Sequence, residues 1–357
     1  MRRVGVEEEL LLVDARTGAP VAGYPEVEAE ARLTHQQVAP ELTRQQAEIA
    51  SAPHRFLPDV RTDLVRRRRG LAQAAAARNY AAAALASSPV PGRTVTTDQE
   101  RYHRMRQRFG RLTRQQLTCG MHVHVSVDDP DEGIGVIDRI RPWLHALTAL
   151  SANSPYWQGE DTDYASYRTV VWGQWPTAGP TELFGDVASY RRLVSALTST
   201  GTLLDEGMIY FDARLSRHYP TVEIRVCDVC VEVDDAVAIA GLARALVATA
   251  ARQHHAGTAP PPVRTEVLRV AAWGAARFGV HEQLLDPVTA RAVPAADFLA
   301  TVLAYAGDEL DASGDLATIR SGLQRILARG SGADAQRRLN AGNLGAMVLA
   351  VAERTRS

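Results

Sequence analysis

Three stretches of this chain alternate apolar and ionisable side chains with a period of two, and that alternation constrains the fold more than any other feature. They are Gly5-Val6-Glu7-Glu8-Glu9-Leu10-Leu11-Leu12-Val13, Cys119-Gly120-Met121-His122-Val123-His124-Val125 and Thr221-Val222-Glu223-Ile224-Arg225-Val226. Successive strand residues point to opposite faces. Glu7 and Glu9 therefore share a face, with Glu8 opposite. His122 and His124 share another, backed by Met121, Val123 and Val125. Val222, Ile224 and Val226 face a core, while Glu223 and Arg225 point away from it. The leucines after Glu9 are apolar on both faces, the pattern of a covered strand. Carboxylates crowded in such a place repel each other and lose hydration, so they need cations or a retained proton. The functional reading of the first segment is a divalent-metal site; the plain one is a strand end with solvated glutamates. Paired histidines on a strand suit a metal or a phosphate, or simply hydrogen-bond on a half-exposed face. Glu223 and Arg225 form either a weak ion pair or a metal ligand beside a phosphate clamp. Arg214, in Asp212-Ala213-Arg214, adds a cation near the same edge.

Two further segments carry chemistry less distinctly. Glu41 and Glu48 are seven apart, on one side of a helix or at the two ends of a bent strand. Asn153 to Arg168 is a long irregular stretch dense in polar and aromatic side chains, the kind of loop that lines binding sites. Arg168 on it can hold a carboxylate with two prongs. The competing reading is a structured surface loop with an aromatic anchor.

Composition narrows the function classes. The chain has 357 residues and a formal net charge of −1, from 40 basic and 41 acidic residues. That balance gives no support to nucleic-acid or membrane-surface binding. No apolar run is long enough to span a bilayer, and the acidic N-terminus does not read as a signal peptide, so a cytoplasmic protein is expected. The sequence contains no lysine. A Schiff-base lysine and a P-loop lysine are thereby excluded, and any anion clamp must use arginine, a helix N-terminus or a metal. Cys119, Cys227 and Cys230 are too few for a disulfide framework; Cys227 and Cys230 read as small core residues at a strand end. The Arg66–Arg69 run covers every side of a helix and reads as mostly solvated.

Helices are expected over 59–87, 134–151, 189–200 and 234–254, with a mostly helical C-terminal third. Strands are expected over 4–13, 118–127, 207–215 and 221–229, an extended piece over 38–50, and a polar loop over 91–110. Strands and helices mix without a regular βαβ rhythm. The fold class is therefore α+β, with a largely antiparallel sheet.

These motifs, with Leu150-Ser151-Ala152-Asn153-Ser154-Pro155 and Tyr164-Ala165-Ser166-Tyr167-Arg168 in order between them, resemble the carboxylate–amine ligases of the glutamate–cysteine ligase type 2 group. Gly330-Ser331-Gly332-Ala333-Asp334-Ala335-Gln336-Arg337 is also similar. The resemblance implies one domain over 1–357 with a glutamine synthetase-like fold, a curved antiparallel sheet backed by helices on its convex side. It implies ATP and Mg²⁺ as cofactors, small-molecule acid and amine substrates, and a homodimer. By that pattern Glu7, Glu9, Glu41, Glu48, His122 and Glu223 are metal ligands. Arg225 is a catalytic and phosphate clamp, with His122, His124 and Arg214 near the nucleotide. Arg168 is a catalytic carboxylate anchor, with Tyr167, Asn153 and Trp157 on the substrate side. One departure stands out. Many relatives carry Gly-Thr-His-Pro after the first long helix, where this chain reads Leu85-Ala86-Ser87-Ser88-Pro89-Val90-Pro91.

The chemistry implied is amide formation through an acyl phosphate, with glutamate and cysteine as the default pair and another acid and amine as the alternative. Two other classes compete: a guanidino phosphotransferase, which releases no free phosphate, and a non-catalytic nucleotide-binding regulator.

Overall fold

The computed structural model describes residues 1–356. Its main sheet has seven strands: β1 (Val4–Asp14), β2 (Ala39–Pro40), β3 (Gln46–Ala50), β4 (Tyr80–Ala83), β5 (Gly120–Ser126), β8 (Ala213–Leu215) and β9 (Thr221–Asp228). The order is β2-β3-β1-β5-β9-β8, with β4 on the far half of β1, and every pairing is antiparallel. Two-stranded hairpins stand apart: β6 (Tyr156–Trp157) with β7 (Glu160–Asp161), and β10 (Gln283–Asp286) with β11 (Arg291–Pro294).

The alternation read from sequence selects the faces. Val4, Val6, Met121, Val123, Val125, Val222 and Ile224 are buried in one core with Ile134, Ile137, Leu147, Ile239 and Leu246 from helices Pro130–Ile140, Leu144–Ser151 and Val233–His255. The last helix is buried along most of its length. Asp234 and Asp235 in its first turn, and Arg252, His254 and His255 in its last, complement its dipole. Asp129 starts the Pro130–Ile140 helix by accepting the Glu132 N–H at 2.9 Å.

On that covered face Glu8 meets Arg68 of helix Leu57–Ala76. The two form a forked ion pair at 2.6 and 2.7 Å with both side chains fully buried. Arg68 also donates to the carbonyls of Val231 and Cys230. The arginine run is therefore more than a solvated face: Arg66 and Arg67 pair with Asp63, and Arg69 donates to Arg356 O.

Three sequence expectations change. The helix expected over 59–87 ends at Ala76, and Asn79 at φ 58° turns the chain into β4. The polar 91–110 loop contains a helix, Glu100–Phe109, whose Met105 is buried. Of the strand expected over 207–215, only Ala213–Leu215 joins the main sheet, after a short 3-10 turn at Glu206–Met208 and a single bridge from Phe211 to Gly179. Cys119, Cys227 and Cys230 are free and buried, and burial pushes the Cys227 thiol up to about 12.

Candidate active site

Sheet register assembles the ionisable groups. Glu9 lies opposite Glu48 on β3, and Glu7 opposite His122 on β5. His124 lies opposite Glu223 on β9, which in turn faces Arg214 on β8. The row crosses five adjacent strands on the face opposite helices Pro130–Ile140 and Val233–His255. Between Met121 and Val123 the β5–β9 register shifts, placing Arg225 and Val226 together opposite His122. Such irregularities re-aim side chains locally, and here both Glu223 and Arg225 reach the same cavity.

That cavity has a volume of about 300 Å³. Glu7, Glu9, Glu41, Glu48, His122, His124, Arg214, Glu223 and Arg225 all line it, with Tyr102, Met105, Trp172, Trp175 and Tyr210 as apolar wall. Glu41 comes from the loop ahead of β3, so the Glu41–Glu48 spacing is that of a turn leading into a strand. His122 Nδ1 lies 3.5 Å from Glu7 and 3.9 Å from Glu223. His124 Nε2 lies 3.3 Å from Glu7 and has no well-aligned hydrogen-bond partner among the described residues. Glu9 accepts the Gly120 N–H at 2.7 Å. Arg214 forks onto Glu223 at 2.8 and 3.1 Å, and Arg225 contacts the same carboxylate.

The charges are unequally compensated. Burial alone raises Glu7, but the His122 and His124 imidazoles outweigh it and hold its carboxyl well below the usual range. Burial acts likewise on Glu223, and Arg225 and Arg214 overcome it. Burial followed by the Arg225 charge pushes His122 down, toward the neutral, ligating form. On the other side of the cavity burial and neighbouring carboxylates outweigh the Arg225 charge. Burial and the Glu9 charge push Glu41 up to about 8, and burial with the charges of Glu41, Glu7 and Glu9 raises Glu48 well above the usual range. Two groups of donor atoms lie within 4.8 Å of one another, Glu7/His122/Glu223 and Glu9/Glu48/His122, with His122 common to both. Clustered carboxylates match the oxygen preference of hard divalent cations, and the under-compensated Glu41–Glu48 side adds a demand for positive charge, so the donor set fits Mg²⁺.

The residues expected on the substrate side lie outside the lining of the acidic cavity. Asn153 is fully buried; its amide donates to Ala84 O and Val229 O, and its oxygen accepts from Gln336. Its hydrogen bonds are committed, so it joins elements of the fold and presents nothing to a ligand. Trp157 and Tyr167 pack on each other at 5.8 Å, outside the acidic cavity. Arg168 is buried 3.7 Å from Asp228 and lines a neighbouring cavity. A Cβ on Gly120 would come within 2.3 Å of Arg168 Nη2, so the glycine of the histidine motif is what admits that side chain. Sequence reasoning missed Tyr102 and Met105, although Tyr102, Met105 and Phe109 recur at helical spacing. Tyr210 and Trp172, which flank Arg225 at 5.8 and 5.9 Å, carried no such signal.

The chain matches the description "Glutamate-cysteine ligase family 2" over residues 3–349. A Streptomyces coelicolor protein provisionally named glutamate–cysteine ligase 2 is 48% identical over 362 residues, covering 100% of each chain. A Frankia alni protein provisionally named glutamate–cysteine ligase 2-2 is 49% identical over 352 residues, 94% of this chain and 92% of that one. Among solved structures, a Francisella tularensis glutamate–cysteine ligase in complex with AMP superposes with TM-score 0.74 at 11% identity, over 99% of this chain and 88% of that one. A bifunctional glutathione synthetase from Pasteurella multocida gives 0.70 at 14% identity, over 99% of this chain and 52% of that one. At those identities the structural likeness is one of fold.

Proposed function

The chain belongs to glutamate–cysteine ligase family 2, which makes it an ATP-dependent carboxylate–amine ligase, and we propose that its acidic cavity activates a small-molecule acid for attack by an amine. The observation that carries this reading is the convergence of Glu7, Glu9, Glu41, Glu48, His122 and Glu223 on one cavity with Arg214 and Arg225 in its wall. Glutamate is the reference acid and cysteine the reference amine, by analogy with the relatives' names.

A carboxylate is a poor electrophile. Attack of its oxygen on the γ-phosphorus of ATP gives an acyl phosphate and ADP; an amine then displaces phosphate and forms the amide. Glu7, Glu9, Glu48, His122 and Glu223 would hold Mg²⁺, with Glu41 beside them, and the bound ions would supply charge neutralisation at the transferring phosphoryl oxygens. Arg225, kept cationic by Glu223, presents positive charge at the same wall. Arg214 holds Glu223 in place. The tyrosine and tryptophan wall would shield an activated acyl group from water on its side of the cavity. No side-chain nucleophile is needed. The reading includes a homodimer, carried over from the family and checked by light scattering.

The test is to incubate purified protein with ATP, Mg²⁺ and a panel of acids and amines, following ADP, phosphate and product mass. ADP and free phosphate that appear only when an acid and an amine are both present support the ligase. ADP formed without regard to the amine overturns it, and phosphoryl transfer without phosphate release marks a phosphotransferase.

A further inference from the structure

A second cavity of about 620 Å³ adjoins the acidic one. Trp172, Trp175, Tyr210 and Arg225 line both, so Arg225 is the one charged residue in the wall they share. Arg269, Ala272, Trp273 and Ala276 line the second cavity at helical spacing from helix Thr265–Phe278, with Arg269 and Trp273 exposed. Its charged groups are Arg168, Arg225 and Arg269 against a single carboxylate, Asp212.

Two observations define what this cavity accepts. The first is a pair of unmet donors. Arg225 contacts Glu223 through Nη1, and Arg168 donates through Nη2 to Arg225 O at 3.3 Å, with its Nη1 3.7 Å from Asp228. The Nε of each is buried with no hydrogen-bond partner among the described residues, in side chains of residues only 3% and 7% exposed. Buried donors cost free energy until an acceptor meets them. A carboxylate is the acceptor whose charge and planar shape suit a guanidinium. The second observation is aromatic surface. Both guanidinium groups lie against the Trp172 ring, at 5.8 and 5.9 Å, and Trp175 and Trp273 add further indole surface to the lining. Such faces gain little from water and favour contact with another ring. Asp212 opposes an anion only weakly, because burial raises its carboxyl to about 7.

Resting on the ligase reading, we propose that this second cavity receives the acid substrate, and that this acid is an arenecarboxylate, a carboxylate on an aromatic body with no ammonium group. The volume falls within the range of roughly 300–1,000 Å³ typical of small-molecule sites. Glutamate has no apolar body for the tryptophan faces, and its ammonium group finds one carboxylate among three arginines. An arenecarboxylate meets both demands at once. Its ring fills the indole-lined part and its carboxylate accepts from the free arginine donors. Placed on Arg225, that carboxylate is one guanidinium away from Glu223 of the acidic cavity, where the nucleotide's phosphates belong under the ligase reading. One carboxylate oxygen then bonds to the γ-phosphorus. The bond from that phosphorus to the bridging oxygen breaks, and the electron pair leaves on ADP.

The test is isothermal titration of the full-length protein, without ATP, using 2-naphthoate, L-glutamate and 2-naphthylmethylamine. Glutamate keeps the carboxylate and lacks the ring; the amine keeps the ring and reverses the charge. The expected result is that naphthoate binds at least about tenfold more tightly than either. Arg168→Gln, which removes the donor, and Ala272→Phe, which fills the cavity, each weaken naphthoate at least about tenfold and leave binding of ATP with Mg²⁺ unchanged. Ala272→Phe lies on a partly exposed helix face and reads the cavity even if the buried Arg168 variant fails to fold. Glutamate or the amine binding as tightly as naphthoate, or naphthoate binding that Ala272→Phe leaves unaltered, overturns the proposal. A second arm adds ATP, Mg²⁺ and an amine panel. ADP and a naphthoyl amide identify the bound acid as substrate; ADP with glutamate but not with naphthoate overturns that role. No ADP from any acid and amine sinks the ligase reading, while the binding order still decides what the cavity prefers.

Discussion

Glu41 is the group through which the acidic cavity should weaken the metal-free protein. Burial, and then the Glu9 charge, moves its carboxyl from the ordinary 4.5 up to about 8. An acid raised in this way keeps its proton in the folded state at pH values where the unfolded chain has released it. The folded state binds more protons over that window, so stability falls as pH rises. The penalty is absent below about pH 4.5 and complete above about pH 8. At about 1.36 kcal/mol per pH unit the ceiling is about 5 kcal/mol. Glu41 is partly exposed and interacts with Glu48, so one proton serves both and the expected loss is about 2–4 kcal/mol. Urea unfolding in EDTA at about pH 5 and about pH 8 measures it, wild type against Glu41→Gln. The variant should match wild type at the lower pH and exceed it by that amount at the higher. Added Mg²⁺ at the higher pH should then stabilise wild type more than the variant. A variant whose advantage is the same at both pH values refutes the reasoning, because the penalty would then not be electrostatic.

Other consequences follow from groups outside that cluster. Glu8→Gln leaves the Arg68 guanidinium buried without its counter-charge and should cost about 3–5 kcal/mol in urea unfolding, whereas the paired replacement Glu8→Leu with Arg68→Met should lie much closer to wild type. If the double variant is as damaged as the single one, the ion pair does more than satisfy itself. Gly120→Ala places a methyl group on Arg168 Nη2 and should cost about 1–3 kcal/mol in urea unfolding, with unchanged binding of ATP with Mg²⁺. A loss of nucleotide binding in that variant would show that the motif glycine serves the acidic cavity instead.

The parts of this molecule that were legible in its sequence are those in which a strand has one covered and one functional face. Glu7, Glu9, His122, His124, Glu223 and Arg225 stand out because period two separates them from the valines and leucines behind them. A register slip of one residue would send every carboxylate into the helix layer. Glu8 obeys the same rule with the opposite result, since its face belongs to the core and Arg68 has to follow it there. Strand β4 escaped notice because Tyr80–Ala83 continues an alanine-rich run that suits a helix at least as well. What decides its state is tertiary: it pairs with Leu11–Asp14, lies under helix Leu344–Thr355, and Ala84 N–H finds Thr355 Oγ1 at 2.9 Å. The local stop signal was Asn79, a residue type that accepts the left-handed backbone such a turn requires.

The cavity that Arg168 lines was hidden for a different reason. Its walls come from helix Tyr167–Trp172, the turn through Gly179, the residues around Asp212, and helix Thr265–Phe278. No spacing relates segments so far apart in the chain, and apolar side chains announce packing before they announce a ligand. Metal-binding chemistry repeats a residue type at a fixed interval and so leaves a trace in one dimension. Substrate selectivity is written in volume and shape, which exist only after the helices have docked.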